Sequence, residues 1–433
     1  MSQRAGWAEV PEVPEAFLEA VRPLLAAHPP APSRYRLPLS ASTFGDLEIA
    51  AALEALVRGP MTLGPRSAAF EAEFAAAHGA PEAIFCNSGS SANLLALTLL
   101  TRPQPGSGKP VLAPGDEVVV PSVTWSTTVW PVVQVGAIPV LADVSPGTLN
   151  LTVESVERAL SPRTRAVLVA HTLGNPAPLD GLAGLCARSG IALLEDACEA
   201  LDAEVGGRKV GTAGRLGTFS FYFSHHICTI EGGMVLCNNA ADADRLRVLR
   251  AHGWTRQMSE PGRRAAEKEH PQVDPRFLFI DVGYNLRATD VQAAIGRVQF
   301  ARRREFLERR RRTAAAWAAA RDRHSELFAP VRFEPGASHF AFPLVLGPRA
   351  RRTRRQLIDF LEGRGIETRP LVAGNLAHQP AMKRVPHRLA GPLSGADLLH
   401  ERALYVGIHP CLTEAQIALL PEALDDFARE AGS

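Results

Sequence analysis

The feature that most constrains the fold is a series of short apolar runs between residues 61 and 239. Each run has four to six residues with little alternation, and helical stretches separate consecutive runs. Such runs are typical of strands buried on both faces of a mostly parallel sheet, because the intervening helices cover both sides. The predicted strands are Glu117–Pro121, Ile138–Ala142, Ala166–Ala170, Ile191–Glu195, Thr218–Phe223 and Met234–Cys237.

The pattern divides the chain into three predicted parts. Residues 1–60 form a helical lead-in, residues 61–300 a large α/β domain, and residues 301–433 a small α/β carboxyl-terminal domain. We expect a long helix over Ala288–Arg323 whose arginine run forms a solvated face, and a surface loop over residues 240–270. The small domain is predicted from Phe340–Leu346 and Glu367–Val372 as strands and from Thr353–Glu362 and Thr413–Ala428 as helices.

Composition and charge argue against a nucleic-acid or membrane partner. The 433 residues carry a formal net charge of +2, and no stretch approaches the roughly 18 apolar residues of a membrane span. The six cysteines lack the spacing of metal ligands, which indicates reduced thiols. No secretory signal is expected in Met1–Pro14. We therefore expect a cytoplasmic protein without a metal site.

Polar segments follow several of the runs, at the sheet edge where such folds bind ligands. Residues 87–93, with three serines and a glycine before an apolar helix, expose backbone N–H groups to a phosphate or form a plain serine N-cap. Asp196 ends a buried run. Its carboxylate could keep a pyridine nitrogen protonated, cap a helix or ligate a metal.

Two histidines and several arginines complete the set of candidate residues. His225 and His226 are adjacent, so on an extended chain their side chains point to opposite sides and do not readily ligate one metal. Arg256 and Arg287 suit carboxylates or phosphates, because the guanidinium fork binds such groups through two hydrogen bonds. A surface position is the alternative for both arginines.

In order and spacing, these segments resemble the DegT/DnrJ/EryC1/StrS family of sugar aminotransferases, which are fold type I pyridoxal phosphate enzymes. The resemblance runs from about Gly64 to Tyr405 and implies the aspartate aminotransferase-like α/β fold. Family members carry F-S-x-x-x-x-K followed by E-G-G. Phe219-Ser220 and Glu231-Gly232-Gly233 match this motif, but His225 stands at the lysine position.

The histidine changes the chemistry that the resemblance implies. A transaminase needs the lysine amine to bind the cofactor covalently, and histidine moves protons but cannot form a Schiff base. Only four of the 47 basic residues are lysines, and none lies within fifteen residues of His225. The chain therefore resembles the nucleotide-sugar 3-dehydratases of the family. Two further segments, His171–Pro176 and Arg369–Asn375, are similar to segments of those dehydratases. Residues 257–283 contain no cysteine, so no iron–sulfur cluster, which needs about four thiolates, is expected.

The resemblance implies roles for the matching residues. Those implied to bind the cofactor are Gly89, Ser90, Trp125, Asp196, Glu199, Ser220 and, toward the neighbouring subunit's phosphate, Asn285. Those implied to bind substrate are His252, Arg256 and Arg287. Asp196 would pair with the pyridine nitrogen and His225 would be the catalytic base, with spacing alone favouring it over His226.

The implied reaction removes the C3 hydroxyl of a nucleoside-diphosphate 4-keto-6-deoxyhexose, with GDP-4-keto-6-deoxymannose favoured, in deoxysugar and O-antigen biosynthesis. L-Glutamate would convert pyridoxal phosphate to pyridoxamine phosphate, ammonia would be released, and a homodimer would share its active sites. Two alternatives stay open: a nucleotide-sugar aminotransferase whose lysine comes from elsewhere, and a catalytically silent cofactor-binding relative. The sequence leaves the nucleotide and the sugar undetermined.

Overall fold

The structure, a computed structural model, describes residues 11–28 and 32–432. Residues 1–10 and 29–31 of the predicted lead-in, including most of the segment assessed for a secretory signal, lie outside the described residues. Within the described ranges, no helix has the length and apolar character needed to cross a membrane. The α-helices of these ranges are α1 (Glu15–Ala27), α2 (Asp46–Arg58), α3 (Pro65–His78), α4 (Gly89–Leu100), α5 (Ser126–Gln134), α6 (Val153–Ala159), α7 (Leu179–Ser189), α8 (Ala240–Arg250), α9 (Glu260–Glu269), α10 (Asp290–Asp322), α11 (Arg354–Gly363), α12 (Ser394–Arg402) and α13 (Glu414–Gly432).

A large, mostly parallel sheet forms the centre of the molecule, as the apolar runs predict. The strands are β1 (Glu82–Cys86), β2 (Glu117–Pro121), β3 (Ile138–Ala142), β4 (Thr164–Ala170), β5 (Ala192–Asp196), β6 (Glu204–Val205), β7 (Arg208–Lys209), β8 (Leu216–Ser220), β9 (Gly233–Cys237), β10 (Ala341–Val345), β11 (Thr368–Pro370), β12 (Arg388–Leu389) and β13 (Ala403–Gly407). The sheet order is β1-β9-β8-β5-β4-β2-β3-β12. All neighbouring pairs from β8 to β12 are parallel, whereas β9 pairs antiparallel with β8 and β1.

Burial on both faces explains why the strands appear as continuous apolar runs. Every residue of β2 and β9 is buried, and α4 packs against β8 and β9. The rings of Phe74 in α3 and Phe219 in β8 meet edge to face with centroids 5.0 Å apart. This packing fixes the end of β8, whose last residue, Ser220, lies five residues before His225.

A smaller antiparallel sheet, in the order β10-β13-β11, lies in the carboxyl-terminal part and has its own apolar core. Helix α10, of 33 residues, packs against α2 and α3 near one end and against β10 and α13 near the other. Residue 300 lies inside this continuous helix, and the domain boundary placed there stays a prediction.

The prediction of a surface loop over residues 240–270 is wrong, because the segment contains α8 and α9. The side chain of Asn239 caps α8 by accepting a 2.7 Å hydrogen bond from the Asp242 N–H. Helix α8 buries Leu246 and Leu249 beneath a strongly charged outer face. The charged residues conceal the apolar stripe when the segment is judged by composition alone.

Three other predictions differ from the structure. The run Thr218–Phe223 leaves the sheet after Ser220, so both histidines lie in a turn rather than on a strand. Strand β1 was not predicted. The arginine run of α10 is not wholly solvated, because Arg303 and Arg310 are only 4% and 2% exposed.

Candidate active site

A cavity of about 570 Å³ lies at the carboxyl ends of β2, β4, β5 and β8. Segments that follow these strands line it, together with the amino end of α4 and residues of the smaller sheet. Ligand sites form at this edge of parallel sheets because the loops after neighbouring strands converge there. Seven predicted site residues line the cavity: Gly89, Ser90, Trp125, Asp196, Glu199, Ser220 and His225.

The amino end of α4 forms one wall of the cavity. Ser88 is the N-cap, and its Oγ accepts a 3.1 Å hydrogen bond from the Ser91 N–H. A Cβ on Gly89 would lie 2.5 Å from the Ser220 Cβ and 2.9 Å from the Cys198 Sγ. Glycine is therefore required for this close approach. The backbone N–H groups at the start of α4 are suited to binding a phosphate beside the Ser220 hydroxyl.

Asp196 lies at the end of β5, is 7% exposed, and accepts three hydrogen bonds. Its Oδ2 accepts from the Asn93 amide and from the Thr128 hydroxyl, each at 2.8 Å, and its Oδ1 accepts from the Cys198 N–H at 3.2 Å. These donors stabilise a negative carboxylate inside the protein. Asp196 can therefore present a fixed negative charge to a basic ring nitrogen in the cavity.

Glu199 lies one turn of chain beyond Asp196 and has a different environment. Burial and the charge of Asp196 raise its pKa to about 7, although the 2.7 Å hydrogen bond from the Leu173 N–H opposes the rise. Tyr405 lines the same cavity, and burial, with the charge of Glu199, raises the pKa of its hydroxyl to about 12. Glu199 can therefore exchange a proton near neutral pH.

His225 is partly buried and lines the cavity on the side of β8. Its ring meets Phe340 edge to face at 5.0 Å and Tyr222 at 5.9 Å. Burial, with the nearby charge of Arg310, lowers the pKa of His225 to about 3, and its Nδ1 is buried without a hydrogen-bond partner. The imidazole is therefore neutral near pH 7, and one of its ring nitrogens has no hydrogen-bond partner.

The neighbouring histidines have structural contacts. The Nε2 of His226 donates a 3.1 Å hydrogen bond to the Ser338 carbonyl, away from the cavity. His171 lines the cavity, but its Nδ1 accepts from the Ala177 N–H at 3.1 Å and its Nε2 therefore donates to Glu195 at 3.2 Å. Of these three histidines, only His225 both lines the cavity and has an imidazole ring that makes no hydrogen bond.

The cavity has no lysine in its lining among the described residues. Lys209, the lysine nearest to His225 in sequence, has its Nζ 2.6 Å from Asp202 Oδ1 in the short β6–β7 hairpin. No group of three His, Cys, Asp or Glu side chains in the described ranges is arranged to hold a metal ion. At the position where the family motif has lysine, the cavity therefore has His225 and no described lysine that could replace it.

Four predicted site residues lie outside the cavity of the single chain. Their segments are neighbours, because Ala251 and Asn285 form a β-bridge. His252 and Arg256 are exposed, and the Arg256 guanidinium lies 5.1 Å from the centre of the Trp254 ring. The Nε of Arg287 donates a 3.1 Å hydrogen bond to Asn285 Oδ1. The roles of all four stay predictions.

Sequence reasoning missed several residues of the site. Asn93 belongs to the small polar run at the start of α4, but nothing in its spacing indicates contact with Asp196, 103 residues away. Thr128, Phe340 and Tyr405 come from three further segments without a recognisable motif. Three-dimensional packing alone brings these side chains to the cavity.

The sequence profile of the DegT/DnrJ/EryC1/StrS aminotransferase family matches residues 43–425. The chain belongs to this family, and the resemblance inferred from its motifs is confirmed. The match spans both sheets and every residue of the cavity.

Within the family, the chain is similar to sugar 3-dehydratases. A dTDP-4-dehydro-2,6-dideoxy-D-glucose 3-dehydratase of Saccharopolyspora spinosa is 38% identical over 87% of this chain and 83% of that protein. A GDP-4-keto-6-deoxy-D-mannose 3-dehydratase of Yersinia pseudotuberculosis is 34% identical over 88% of this chain and 96% of that protein. The solved structure of an E. coli GDP-4-keto-6-deoxy-D-mannose 3-dehydratase with bound hydrated pyridoxal phosphate has a TM-score of 0.83 and 32% identity over 90% of this chain and 100% of that one. Sugar aminotransferases of the family match as well.

Proposed function

We propose that the protein is a pyridoxal phosphate-dependent 3-dehydratase of a nucleoside-diphosphate 4-keto-6-deoxyhexose, with L-glutamate as the amino donor. One observation carries the proposal: a neutral histidine, His225, borders the cavity where an aminotransferase needs lysine. The 3-dehydratase relatives support this assignment. GDP-4-keto-6-deoxymannose is the favoured substrate, and the dTDP sugars form the second class to test.

The residues of the cavity fit a pyridoxal cofactor. Gly89, Ser90 and Ser220 line the cavity at the amino end of α4, and the absence of a side chain at position 89 lets α4 approach Ser220 and Cys198 closely. The fixed carboxylate of Asp196 suits a protonated ring nitrogen, and Trp125 borders the same space with a ring that can stack. When bound, the cofactor would supply an electron-accepting ring and an amino group obtained from glutamate.

The chain's own contribution to dehydration is proton movement at His225. A neutral imidazole can accept a proton and return it to the departing C3 hydroxyl, which then leaves as water. Without a lysine amine, none of the described residues that line the cavity could hold the cofactor covalently through a Schiff base. Water can then hydrolyse the nitrogen from the product as ammonia, so that a keto sugar rather than an amino sugar is released.

An aminotransferase is the second candidate function, because sugar aminotransferases also match the chain. Such an enzyme needs a lysine, and Lys209 is held in an ion pair with Asp202 outside the cavity lining. A catalytically silent relative is the third reading. The hydrogen bonds around Asp196 and the packed, neutral ring of His225 favour a working site over this reading.

We also propose a homodimer that acts in the cytoplasm. The predicted residues outside the cavity, Asn285 and Arg287 among them, would then reach the site of a second copy. Large apolar side chains are exposed near the cavity and beside these residues, including Trp125 at 59% and Val282 at 81%. Such exposure is typical of surfaces that another chain covers.

Turnover distinguishes the candidate functions. The holoenzyme is incubated with L-glutamate and either GDP-4-keto-6-deoxymannose or a dTDP-4-keto-6-deoxyhexose, and sugar products, ammonia and 2-oxoglutarate are measured. We expect a product that lacks the C3 oxygen, with ammonia and 2-oxoglutarate formed in equal amounts. A His225→Asn variant should retain the cofactor and lose the reaction. An amino sugar without ammonia would instead indicate an aminotransferase.

A further inference from the structure

A buried arginine lies behind His225. Arg310 of α10 is 2% exposed, and its guanidinium donates to three main-chain carbonyls. Nη1 lies 3.2 Å from the His339 oxygen and 2.9 Å from the Phe340 oxygen, and Nη2 lies 3.4 Å from the His225 oxygen. The guanidinium thus joins the main chain of His225 to the segment whose Phe340 ring packs against the imidazole.

The charge of Arg310 has no counter-ion among the residues that the structure describes, since no carboxylate lies within ion-pair distance. Arg303, two turns earlier on the same helix, instead has its Nε 2.9 Å from Asp202 Oδ2. An uncompensated buried cation is costly, and burial lowers the pKa of Arg310 to about 10. The carbonyls stabilise the cation without cancelling its charge.

The titratable groups around this cation are held in their neutral forms. Those that it faces are His225, His226, His339, His409 and Cys411. Burial lowers the pKa of all four histidines, and the charge of Arg310 lowers each further. Burial raises the pKa of the Cys411 thiol. The described residues packed around Arg310 therefore place no carboxylate within ion-pair distance of it.

We propose that Arg310 is a positioning residue that fixes the main chain of His225 through its carbonyl contacts and places a buried positive charge beside the imidazole. This inference rests on the proposed function, in which His225 is the base. Three acids line the same cavity, Asp196, Glu199 and Glu231, and negative charges favour a protonated imidazole. The buried cation lies 3.4 Å from the main-chain oxygen of His225, and its charge disfavours protonation of the ring.

Hydrogen–deuterium exchange at the imidazole C2 position, read by mass spectrometry of peptides from the holoenzyme, tests this without substrate. At neutral pH this exchange passes through the protonated ring, so its rate changes up to about tenfold for each unit of pKa. Arg310→Met and Arg310→Gln remove the charge and should speed exchange at His225 severalfold, because the protonated ring becomes less unfavourable. Arg310→Lys keeps the charge and should leave the rate near that of the parent.

Arg311→Met is the matched control. Arg311 also donates to carbonyls of the same segment, with its Nε 2.9 Å from the Ala337 oxygen and its Nη2 3.2 Å from the Gly336 oxygen. Its charge is not among the causes that lower the pKa of His225, so exchange there should be unchanged. Arg310→Gln retains amide donors for the carbonyls. It is the neutral variant to measure if Arg310→Met does not fold.

Equal exchange at His225 in the parent, Arg310→Met and Arg310→Gln proteins would overturn the inference. Faster exchange in both neutral variants, with the parent rate in Arg310→Lys and Arg311→Met, would support it. Because this measurement needs no turnover, a parent that dehydrates no sugar would overturn the proposed function separately.

Discussion

The side-chain amide of Asn93 donates a 2.8 Å hydrogen bond to Asp196 Oδ2. The Asn93 oxygen accepts in turn from the Thr218 hydroxyl at 2.5 Å, and the Thr128 hydroxyl donates to the same Asp196 oxygen at 2.8 Å. Residues of α4, α5 and β8 therefore fix the orientation of one carboxylate at the end of β5. The acid is preorganised for a ligand in the cavity.

Removing one of these donors should weaken cofactor binding. Thr128→Val deletes a hydrogen bond to a buried charge, which typically costs about 1–3 kcal/mol, so we expect roughly tenfold lower affinity for pyridoxal phosphate. Absorbance titration of the apo-protein measures the dissociation constant. Thr101→Val is the same substitution at the end of α4, where the threonine hydroxyl donates to the Thr98 carbonyl. This control variant should bind pyridoxal phosphate with the affinity of the parent. Equal affinities of all three proteins would contradict the role given to Thr128.

A side chain at position 89 should close the phosphate end of the cavity. The added Cβ of Gly89→Ala would meet Ser220 and Cys198 at distances below 3.0 Å, so α4 must shift away from β8. We expect at least about a tenfold loss of affinity for pyridoxal phosphate, equivalent to about 1.4 kcal/mol. Gly363→Ala, where a Cβ meets nothing within 4 Å, is the control. An unchanged affinity in Gly89→Ala would show that α4 does not contact the phosphate.

Glu199 should make the stability of the apo-protein depend on pH. Its pKa in the folded protein, about 7, lies above the ordinary value of 4.5. Its stabilising contribution is therefore complete below about pH 4.5 and is lost as the pH rises through 7. Relative to Glu199→Gln, the parent should lose up to about 3 kcal/mol across this range. Urea unfolding at pH 5 and pH 8 measures the difference, which should be absent for Glu157→Gln on the exposed face of α6.

The buried pair of Arg303 and Asp202 should matter for stability rather than for chemistry. Arg303→Met removes one of the two cations paired with the buried Asp202, leaves Lys209 in place, and should lower the free energy of unfolding by about 1–3 kcal/mol. Arg323→Met breaks an exposed pair with Asp425 near the end of the same helix and should cost under about 1 kcal/mol. Urea denaturation at pH 7 compares the two. Similar losses would contradict the distinction.

The same pair predicts the response to acid. Burial raises the pKa of Asp202, but the charges of Arg303 and Lys209 outweigh it and lower the pKa to about 2. The contribution of this carboxylate is therefore present above about pH 4 and is lost as the pH falls toward 2. Between pH 4 and pH 2.5 the parent should lose more stability than Asp202→Asn.

The sheet was predictable because its strands are buried on both faces, which leaves continuous apolar runs such as Glu117–Pro121. Helix α8 was not, because its charged outer face dominates its composition and conceals Leu246 and Leu249. The buried position of Arg310 was equally hidden. A local run of arginines gives no sign that carbonyls of distant segments, such as that of Phe340, accept hydrogen bonds from one of them.

The site was predictable only where a motif carries it. Gly89, Asp196 and His225 were found from the spacing shared with the family, and the structure places all three on one cavity. Asn93 and Thr128 reach Asp196 through packing between elements far apart in sequence, so their contact has no local signal. His252 and Arg256 lie outside the cavity of one chain, and a single sequence does not show what a second copy contributes.

In the proposed enzyme, the cavity holds its cofactor without a lysine. The most direct test is to reduce the protein with borohydride in the presence of pyridoxal phosphate and to measure its intact mass and peptide masses. We predict an unchanged mass for the parent, while L-glutamate converts the bound cofactor to the pyridoxamine form in the absorbance spectrum. A His225→Lys variant should gain one reduced cofactor at position 225, which shows that the assay detects attachment. A cofactor fixed to any lysine of the parent would contradict the account.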